Sequence, residues 1–185
     1  MHHGHRGLNH PVKNIITGKS EITTQSYKPK DIIEDVKLID LPLYNDDCGG
    51  FTEIVRLNEN NTVINLEQFQ AKQLSWSIVH PGVIKAFHLH YTQDDLWFVP
   101  PTETLLIGLF DCRENKSGKM RFVMGAGKAQ ILYIPKGVAH GYTNHTNEKQ
   151  SIIYLTSQHY NREEPDERRI SWDILGKEFW EIQKG

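Results

Sequence analysis

Hydrophobic residues along this chain fall mainly into short runs separated by turn-forming residues. From Asp35 onward the runs have strand length and are rich in the β-branched and aromatic side chains that strands favour. The predicted strands are Val36–Leu41, Phe51–Leu57, Val63–Phe69, Leu74–Val79, Val83–His90, Asp95–Val99, Thr104–Asp111, Lys119–Met124, Ala129–Ile134, Gly141–Asn144 and Ser151–Ser157. Helical periodicity is visible mainly around Ile174–Ile182. The pattern predicts an all-β domain of sandwich or barrel type with a short C-terminal helix.

Length and composition limit the classes of protein to consider. The chain has 185 residues, which fits one domain at residues 31–185, preceded by a flexible arm at residues 1–30 that is poor in large apolar side chains. A formal net charge of −2 argues against nucleic-acid binding. No apolar run reaches the roughly 20 residues of a membrane helix. The two cysteines, Cys48 and Cys112, are far apart, so we expect no disulfide framework and a cytoplasmic protein.

Three histidines lie in two motifs that predict a common site. His88 and His90 are two residues apart in a predicted strand, so their side chains point to the same face. His140 follows the turn Pro135-Lys-Gly137. The two motifs together resemble those of the cupin superfamily. The resemblance implies a jelly-roll barrel with its site in the mouth of the barrel.

Two kinds of chemistry use such a site, and the histidines alone do not choose between them. In one, His88, His90 and His140 bind a divalent transition metal with Asp94, or its neighbour Asp95, as the carboxylate ligand. In the other, no metal is needed and one imidazole takes a proton from carbon as a general base.

A longer series of motifs indicates a family. In order along the chain, the segments are Asp47–Glu53, Ser75–Ser77, Gly82–His88, Asp111–Lys119, Tyr133–Gly141, Tyr154–Tyr160 and Asp166–Asp173. The series resembles the dTDP-4-dehydrorhamnose 3,5-epimerase family, from about Asp35 to the C-terminus. The resemblance implies a cupin-like jelly roll and a homodimer. It also implies epimerisation next to the 4-keto group of a nucleotide-linked 6-deoxysugar, without a cofactor.

The resemblance assigns a role to several residues. His88 matches the family's catalytic base, in Lys85-Ala-Phe-His88, and Tyr154 matches the acid. An imidazole suits proton abstraction near neutrality, and a phenol with a pKa of about 10 stays protonated and can donate. The positions that resemble substrate-binding residues are Glu53, Gln73, Lys85, His140, Tyr160 and Glu167.

The sequence also departs from the family pattern. Cys48 stands where the family has an arginine that meets the diphosphate, and the family lysine that stabilises the enolate falls at Leu96 or Trp97. The family aspartate that supports the base has no match, and the candidates to replace it are Asp94, Asp95 and Asp173. The segment Arg162–Arg169 is interpreted as a charged surface loop.

These departures leave two alternative functions open beside the epimerase. One is a metal-dependent cupin enzyme that uses His88, His90, Asp94 and His140. The other is a sugar-nucleotide binder without catalytic activity.

Overall fold

In the computed structural model, which describes residues 32–183, two five-stranded antiparallel sheets pack face to face. The strands are β1 Lys37–Asp40, β2 Tyr44–Asp46, β3 Gly49–Phe51, β4 Thr62–Val63, β5 Leu66–Gln70, β6 Gln73–Val79, β7 Ile84–Leu89, β8 Asp95–Phe98, β9 Thr104–Asp111, β10 Lys119–Gly125, β11 Gln130–Ile134, β12 Val138–Thr143, β13 Gln150–Thr156 and β14 Arg168–Arg169. The first sheet has the order β1-β11-β8-β13-β6, and the second has the order β10-β9-β12-β7-β14. Strands β2-β3 and β4-β5 form two separate hairpins.

Most of the predicted strands are confirmed, and several parts of the chain differ. The predicted strand Val63–Phe69 is split between β4 and β5 of one hairpin, and Arg168–Arg169, at the end of the predicted surface loop, forms β14. Beyond Phe51 the predicted strand is wrong: Ile54 and Val55 pack on the outer side of the first sheet, and Leu57 forms only an isolated bridge with Val63. The C-terminal helix is reduced to the 3-10 turn Lys177–Trp180. The predicted arm at residues 1–30 lies outside the described residues. Within residues 32–183, no helix has the length and apolar character to cross a membrane.

Apolar side chains form three layers because each sheet buries both faces. The central layer fills one end of the space between the sheets with residues such as Leu105, Ile107 and Leu132. A second layer covers the outer face of the first sheet, where Phe69 packs edge-on against Tyr133. The third layer covers the outer face of the second sheet. The three layers fix both sheets and leave the other end of the sandwich for polar side chains.

The C-terminal segment forms the third layer. Phe179 and Trp180 are buried against Phe87, which lies on β7. The indole N–H of Trp180 donates to the carbonyl of Trp172 over 2.8 Å. Gly108 leaves room for these rings, because a Cβ there would lie 2.6 Å from atoms of both Phe179 and Trp180. The packing holds β7 from outside, so that the alternate residue His88 points between the sheets.

An ion-pair cluster fastens the first described residues to the second sheet. The buried carboxylate of Asp111 accepts hydrogen bonds from Arg113, with 2.7 Å between Nη2 and Oδ2. These hydrogen bonds lower the pKa of Asp111. Arg113 also donates to Asp35 and to the carbonyl of Glu34. The bidentate guanidinium of Arg113 thus joins two backbone segments, at residues 34–35 and 111–113.

Candidate active site

A cavity of about 570 Å³ opens at the polar end of the sandwich, between the two sheets. Six of the eight residues proposed for catalysis or substrate binding line it: Gln73, His88, His140, Tyr154, Tyr160 and Glu167. Further lining residues that the sequence did not single out for substrate contact include Trp97, Tyr142 and Asp166. A volume of this size is typical of small-molecule sites.

The three histidines converge, as their spacing predicted. His88 on β7 is directly opposite His140 on β12, and their nearly parallel rings have centroids 6.0 Å apart. His90 follows β7, and the centroid of its ring is 5.1 Å from that of His140. His140 is buried, and its Nδ1 lies 3.0 Å from the carbonyl oxygen of Val138. The imidazoles therefore form one wall of the cavity.

His88 has a defined tautomer in this site. Its Nδ1 is 2.9 Å from Oε1 of Glu167, and its Nε2 is 2.8 Å from Nη1 of Arg169. Because a guanidinium only donates, Nε2 acts as the acceptor and the ring proton lies on Nδ1, facing Glu167. Burial, and next the nearby His140 and Arg169, lower the pKa of His88 to about 3. His88 is thus a neutral imidazole with its lone pair at Nε2.

Two tyrosines line the cavity together with the histidines, one from each sheet. Tyr154 lies on β13 in the first sheet, so its phenol enters the cavity from the sheet opposite to that of His88. Tyr142 lies on β12, and its hydroxyl is 3.5 Å from Oγ of Ser77. Burial raises the pKa of Tyr142. The sequence offered one signal for this second phenol, since Tyr142 lies two residues after His140 on the same face of a strand.

Asp95, and not Asp94, is the carboxylate beside the histidines. Asp95 is buried, and its Oδ2 is 3.5 Å from Nε2 of His140 and 4.0 Å from Nε2 of His90. The carboxylate of Asp94 instead accepts the backbone N–H of Lys136 over 2.8 Å. Strand β8 begins at Asp95, and its alternation turns the neighbouring residue away from the interior. This corrects the predicted ligand set.

The atoms of His90, Asp95 and His140 fit a divalent transition metal. One ligand atom from each lies within 4.8 Å of the others, and all three residues are buried. The carbonyl of Asp166 contacts Nδ1 of His90. The Nδ1 of His140 has a carbonyl contact as well, so both rings can direct Nε2 toward Asp95, as ligand histidines do. His88, which was also in the predicted set, is outside this cluster.

Glu53 and Lys85 lie away from the cavity, which separates them from the other predicted substrate-binding residues. Glu53 pairs with Arg56 on the surface, with 2.8 Å between Oε2 and Nη2. The ammonium of Lys85 donates to Oγ of Ser77 over 2.9 Å and so joins β7 to the opposite sheet. Gln73 lines the cavity and also accepts the backbone N–H of Tyr160 over 2.9 Å, which positions that residue at the mouth.

Asp166 holds a loop at the rim. Its carboxylate accepts the backbone N–H groups of Tyr91, Thr92 and Gln93 as well as the hydroxyl of Thr92. Burial opposes ionisation, but these hydrogen bonds lower the pKa of Asp166 to about 2. The segment that precedes β14 therefore belongs to the cavity, and the contacts of Asp166 hold it in place.

Comparisons with known proteins agree with the motif series. The family model for dTDP-4-dehydrorhamnose 3,5-epimerase matches residues 30–176. The spore coat polysaccharide biosynthesis protein SpsL of Bacillus subtilis is 46% identical over 145 residues, which are 77% of this chain and 91% of that protein. The probable low-salt glycan biosynthesis epimerase Agl13 of Haloferax volcanii is 31% identical over 144 residues, 76% of this chain and 89% of that protein.

The fold is similar to that of solved epimerases. The dTDP-4-dehydrorhamnose 3,5-epimerase of Bacillus anthracis strain Ames, solved with TDP and PPi bound, superposes with a TM-score of 0.67 at 20% identity. The match covers 83% of this chain and 92% of that one. At this identity the likeness concerns the fold, and it confirms the expected cupin-like jelly roll.

Proposed function

Since the chain belongs to the dTDP-4-dehydrorhamnose 3,5-epimerase family and is a carbohydrate epimerase of nucleotide sugars, we propose that His88 is its catalytic base and Tyr154 its catalytic acid. The reaction is the inversion of a carbon beside the 4-keto group of a nucleotide-linked 6-deoxysugar. The keto group acidifies the neighbouring C–H bonds, so proton transfer by side chains is sufficient and no cofactor is required.

One observation supports this assignment above the others: the two residues enter the same cavity from opposite sheets. His88 extends from β7 of the second sheet and Tyr154 from β13 of the first. Inversion requires that a proton leave one face of the sugar ring and another arrive at the opposite face. A substrate between the sheets meets a base on one side and a phenol on the other.

The state of His88 suits the first step. The neutral ring carries its proton on Nδ1, toward Glu167, and has its lone pair on Nε2. Nε2 takes the proton from the carbon next to the ketone, and the C–H electron pair forms the C=C bond of an enolate. Tyr154 then gives its proton to the opposite face of that carbon. The enolate reverts to the ketone with inverted configuration.

We also propose a nucleoside diphosphate sugar as the ligand of this site. The Bacillus anthracis relative was solved with TDP bound, and the cavity volume of about 570 Å³ accommodates a sugar with part of a nucleotide. Tyr160 stands at the mouth with its side chain 62% exposed. An exposed aromatic ring at that position is available to stack on a base or sugar.

Deuterium wash-in tests the assignment directly. The protein is incubated with dTDP-4-keto-6-deoxyglucose in heavy water, and the C3 and C5 protons are followed by NMR. We expect exchange in the wild-type protein and loss of at least about a hundredfold in His88→Ala. His145→Ala, which changes an exposed histidine outside the cavity, is the matched control and should exchange at the normal rate.

Other outcomes have definite meanings. Full-rate exchange by His88→Ala contradicts the assignment of the base. Absence of exchange in the wild-type protein, with dTDP still bound, identifies a sugar-nucleotide binder without catalytic activity.

A metal-dependent enzyme is the second candidate, and the buried cluster of His90, Asp95 and His140 favours it. These three residues would hold a divalent metal, which would supply Lewis-acid polarisation of the keto oxygen. Elemental analysis of protein washed with a chelator tests this candidate. About one metal per chain, lost in Asp95→Asn but kept in Asp94→Asn, supports it. Metal-free protein with full wash-in activity contradicts it.

We further propose a cytoplasmic homodimer. Among residues 32–183, strand β6 is an edge of the first sheet, and its residues Leu74 and Trp76 are more than 60% exposed. An unpaired edge with exposed apolar side chains is suited to pairing with a second copy. Light scattering should give twice 21.4 kDa for the wild-type chain and the monomer mass for Trp76→Glu. A wild-type monomer contradicts the dimer.

The cytoplasmic location is supported by the cysteines. Both are free thiols, as a reducing compartment favours.

A further inference from the structure

The proposed reaction develops negative charge in a cavity whose described lining is itself acidic. The enolate places charge on the sugar oxygen, while Asp95, Glu164, Asp166 and Glu167 all line the cavity. Within the described part of the chain, neither lysine nor arginine is among the lining residues. A cationic side chain at the rim would offset this charge and stabilise the oxyanion.

Arg169 is placed next to the base. Arg169 on β14 is directly opposite His88 on β7 in the antiparallel register. Its Nη1 is 2.8 Å from Nε2 of His88, and its Nη2 is 2.7 Å from Oε1 of Glu167. The same Glu167 oxygen is 2.9 Å from Nδ1 of His88. One carboxylate oxygen thus holds the base and the guanidinium together.

We propose that Arg169 is a catalytic residue that stabilises the enolate oxygen, and that Glu167 is a positioning residue for both His88 and Arg169. The inference rests on the proposed function and adds to it the group that stabilises the negative charge on the enolate oxygen. It assigns Glu167 a different role from the sugar-binding role that the family resemblance implied.

The position of Nη1 gives the reason. In the structure, Nη1 of Arg169 donates to the lone pair of His88 Nε2, which is the lone pair that must accept the substrate proton. The guanidinium therefore moves aside when substrate binds. The ketone oxygen is bonded to the carbon adjacent to the one that loses its proton, and this places the oxygen beside the displaced guanidinium. Because the Arg169 side chain is 63% exposed, it can make this move without breaking core packing.

The neighbouring cations are already engaged elsewhere. Arg168 lies over the ring of Tyr91, with its guanidinium carbon 5.6 Å from the ring centroid. Lys85 donates to Ser77 and to the carbonyl of Ile78. Arg168 is therefore the matched control for Arg169, since it has the same chemistry one residue away.

Steady-state kinetics, wash-in and dTDP binding on Arg169→Ala test the proposal. We expect kcat and the exchange rate to fall about 10²–10³-fold, as on removal of an oxyanion donor. The Kd for dTDP, which has the diphosphate but no ketone, should change less than about threefold. Arg169→Lys should recover part of the loss because it restores a positive charge. Low concentrations of guanidinium ion should partly rescue Arg169→Ala, and Arg168→Ala should behave as wild type.

Glu167 is tested by a spectroscopic signature as well as by rate. Glu167→Ala should lower kcat. In Arg169→Ala, where no guanidinium donates to Nε2, the added change Glu167→Ala should also remove the preference of His88 for the Nδ1–H tautomer, which is read from imidazole nitrogen chemical shifts. Glu167→Gln in the same background can still accept from Nδ1 and should retain the tautomer. An unchanged tautomer in the double variant Arg169→Ala/Glu167→Ala contradicts the positioning role.

Three outcomes separate the possible failures. Full-rate exchange in Arg169→Ala overturns the inference and leaves the proposed function intact. A raised KM and a raised Kd for dTDP, with kcat unchanged, also overturn it and make Arg169 a diphosphate contact. Absence of exchange in the wild-type protein is a failure of the proposed function itself.

Discussion

His88 and His140 face each other across the paired strands β7 and β12, with ring centroids 6.0 Å apart and planes inclined by only 9°. His140 is fixed by the carbonyl of Val138, so its ring limits the orientations open to His88. The ring of the base therefore lies beside a fixed neighbour that transfers no proton in the proposed reaction.

This relationship makes a first prediction. His140→Ala should slow deuterium wash-in about tenfold to a hundredfold without abolishing it, because the base remains but its ring loses support. NMR of the exchanging sugar protons measures the effect. A loss as complete as that in His88→Ala would show that His140 takes the proton itself.

Separating exchange from inversion gives a second prediction. In Tyr154→Phe, His88 can still remove a proton and return a deuteron to the same face, so wash-in should continue while inverted product falls about a hundredfold or more. The configuration of the deuterated sugar, read from proton couplings, measures this split. Tyr142→Phe is the comparison, since its hydroxyl belongs to the same sheet as the base. If Tyr142→Phe gives the split and Tyr154→Phe does not, the acid is Tyr142.

The third prediction concerns the layer outside the second sheet. Gly108→Ala should destabilise the protein by about 1–3 kcal/mol, because the new methyl group overlaps the rings of Phe179 and Trp180. Urea unfolding monitored by tryptophan fluorescence measures the change. Phe179→Ala removes one of the two rings that the new methyl group overlaps. The double variant should therefore lose less free energy of unfolding than the sum of the losses in the single variants. Strict additivity would argue against this contact.

A pH dependence of stability provides the fourth prediction. Hydrogen bonds from Arg113 lower the pKa of Asp111 below the usual 3.8, so their stabilisation is present above that value and is lost as the pH falls through the lowered pKa. Arg113→Met should cost about 2 kcal/mol at pH 7, and the difference from wild type should shrink below about pH 4. Thermal unfolding between pH 3 and pH 7 measures this difference in stability.

The matched control for this series is Arg56→Met, whose partner Glu53 is exposed. We expect no measurable loss of stability from it at any of these values of pH. A difference between Arg113→Met and wild type that stayed constant with pH would mean that the arginine acts through packing alone.

The sequence was most informative where periodicity alone sets the geometry. His88 and His90 share a face because they are two residues apart in a strand, and this holds whatever the partner strands are. To predict which of Asp94 and Asp95 faces the cavity, one must know the residue at which β8 begins, and that residue is set by the pairing of β8 with β11 and β13. If the start of the strand shifts by one residue, every side chain moves to the opposite face of the sheet. The sequence around Gln93 has no turn signal that fixes the start of the strand.

The cluster around Arg169 was beyond prediction for a different reason. Its strand, β14, is only two residues long and lies in a polar stretch that reads as a surface loop. The segment becomes a strand because it pairs with β7, more than seventy residues earlier in the chain. The predicted C-terminal helix failed in a related way: Phe179 and Trp180 are adjacent and both buried, which tertiary packing permits and helical periodicity does not favour.

Strand β7 places two different demands on the same few residues. Phe87 and Leu89 face the aromatic layer outside the sheet, and His88 faces the cavity. The side chains on one side of this strand stabilise the fold, and the side chain on the other side faces the cavity. A substitution in the aromatic layer therefore displaces the base through the backbone of β7, without touching the cavity itself.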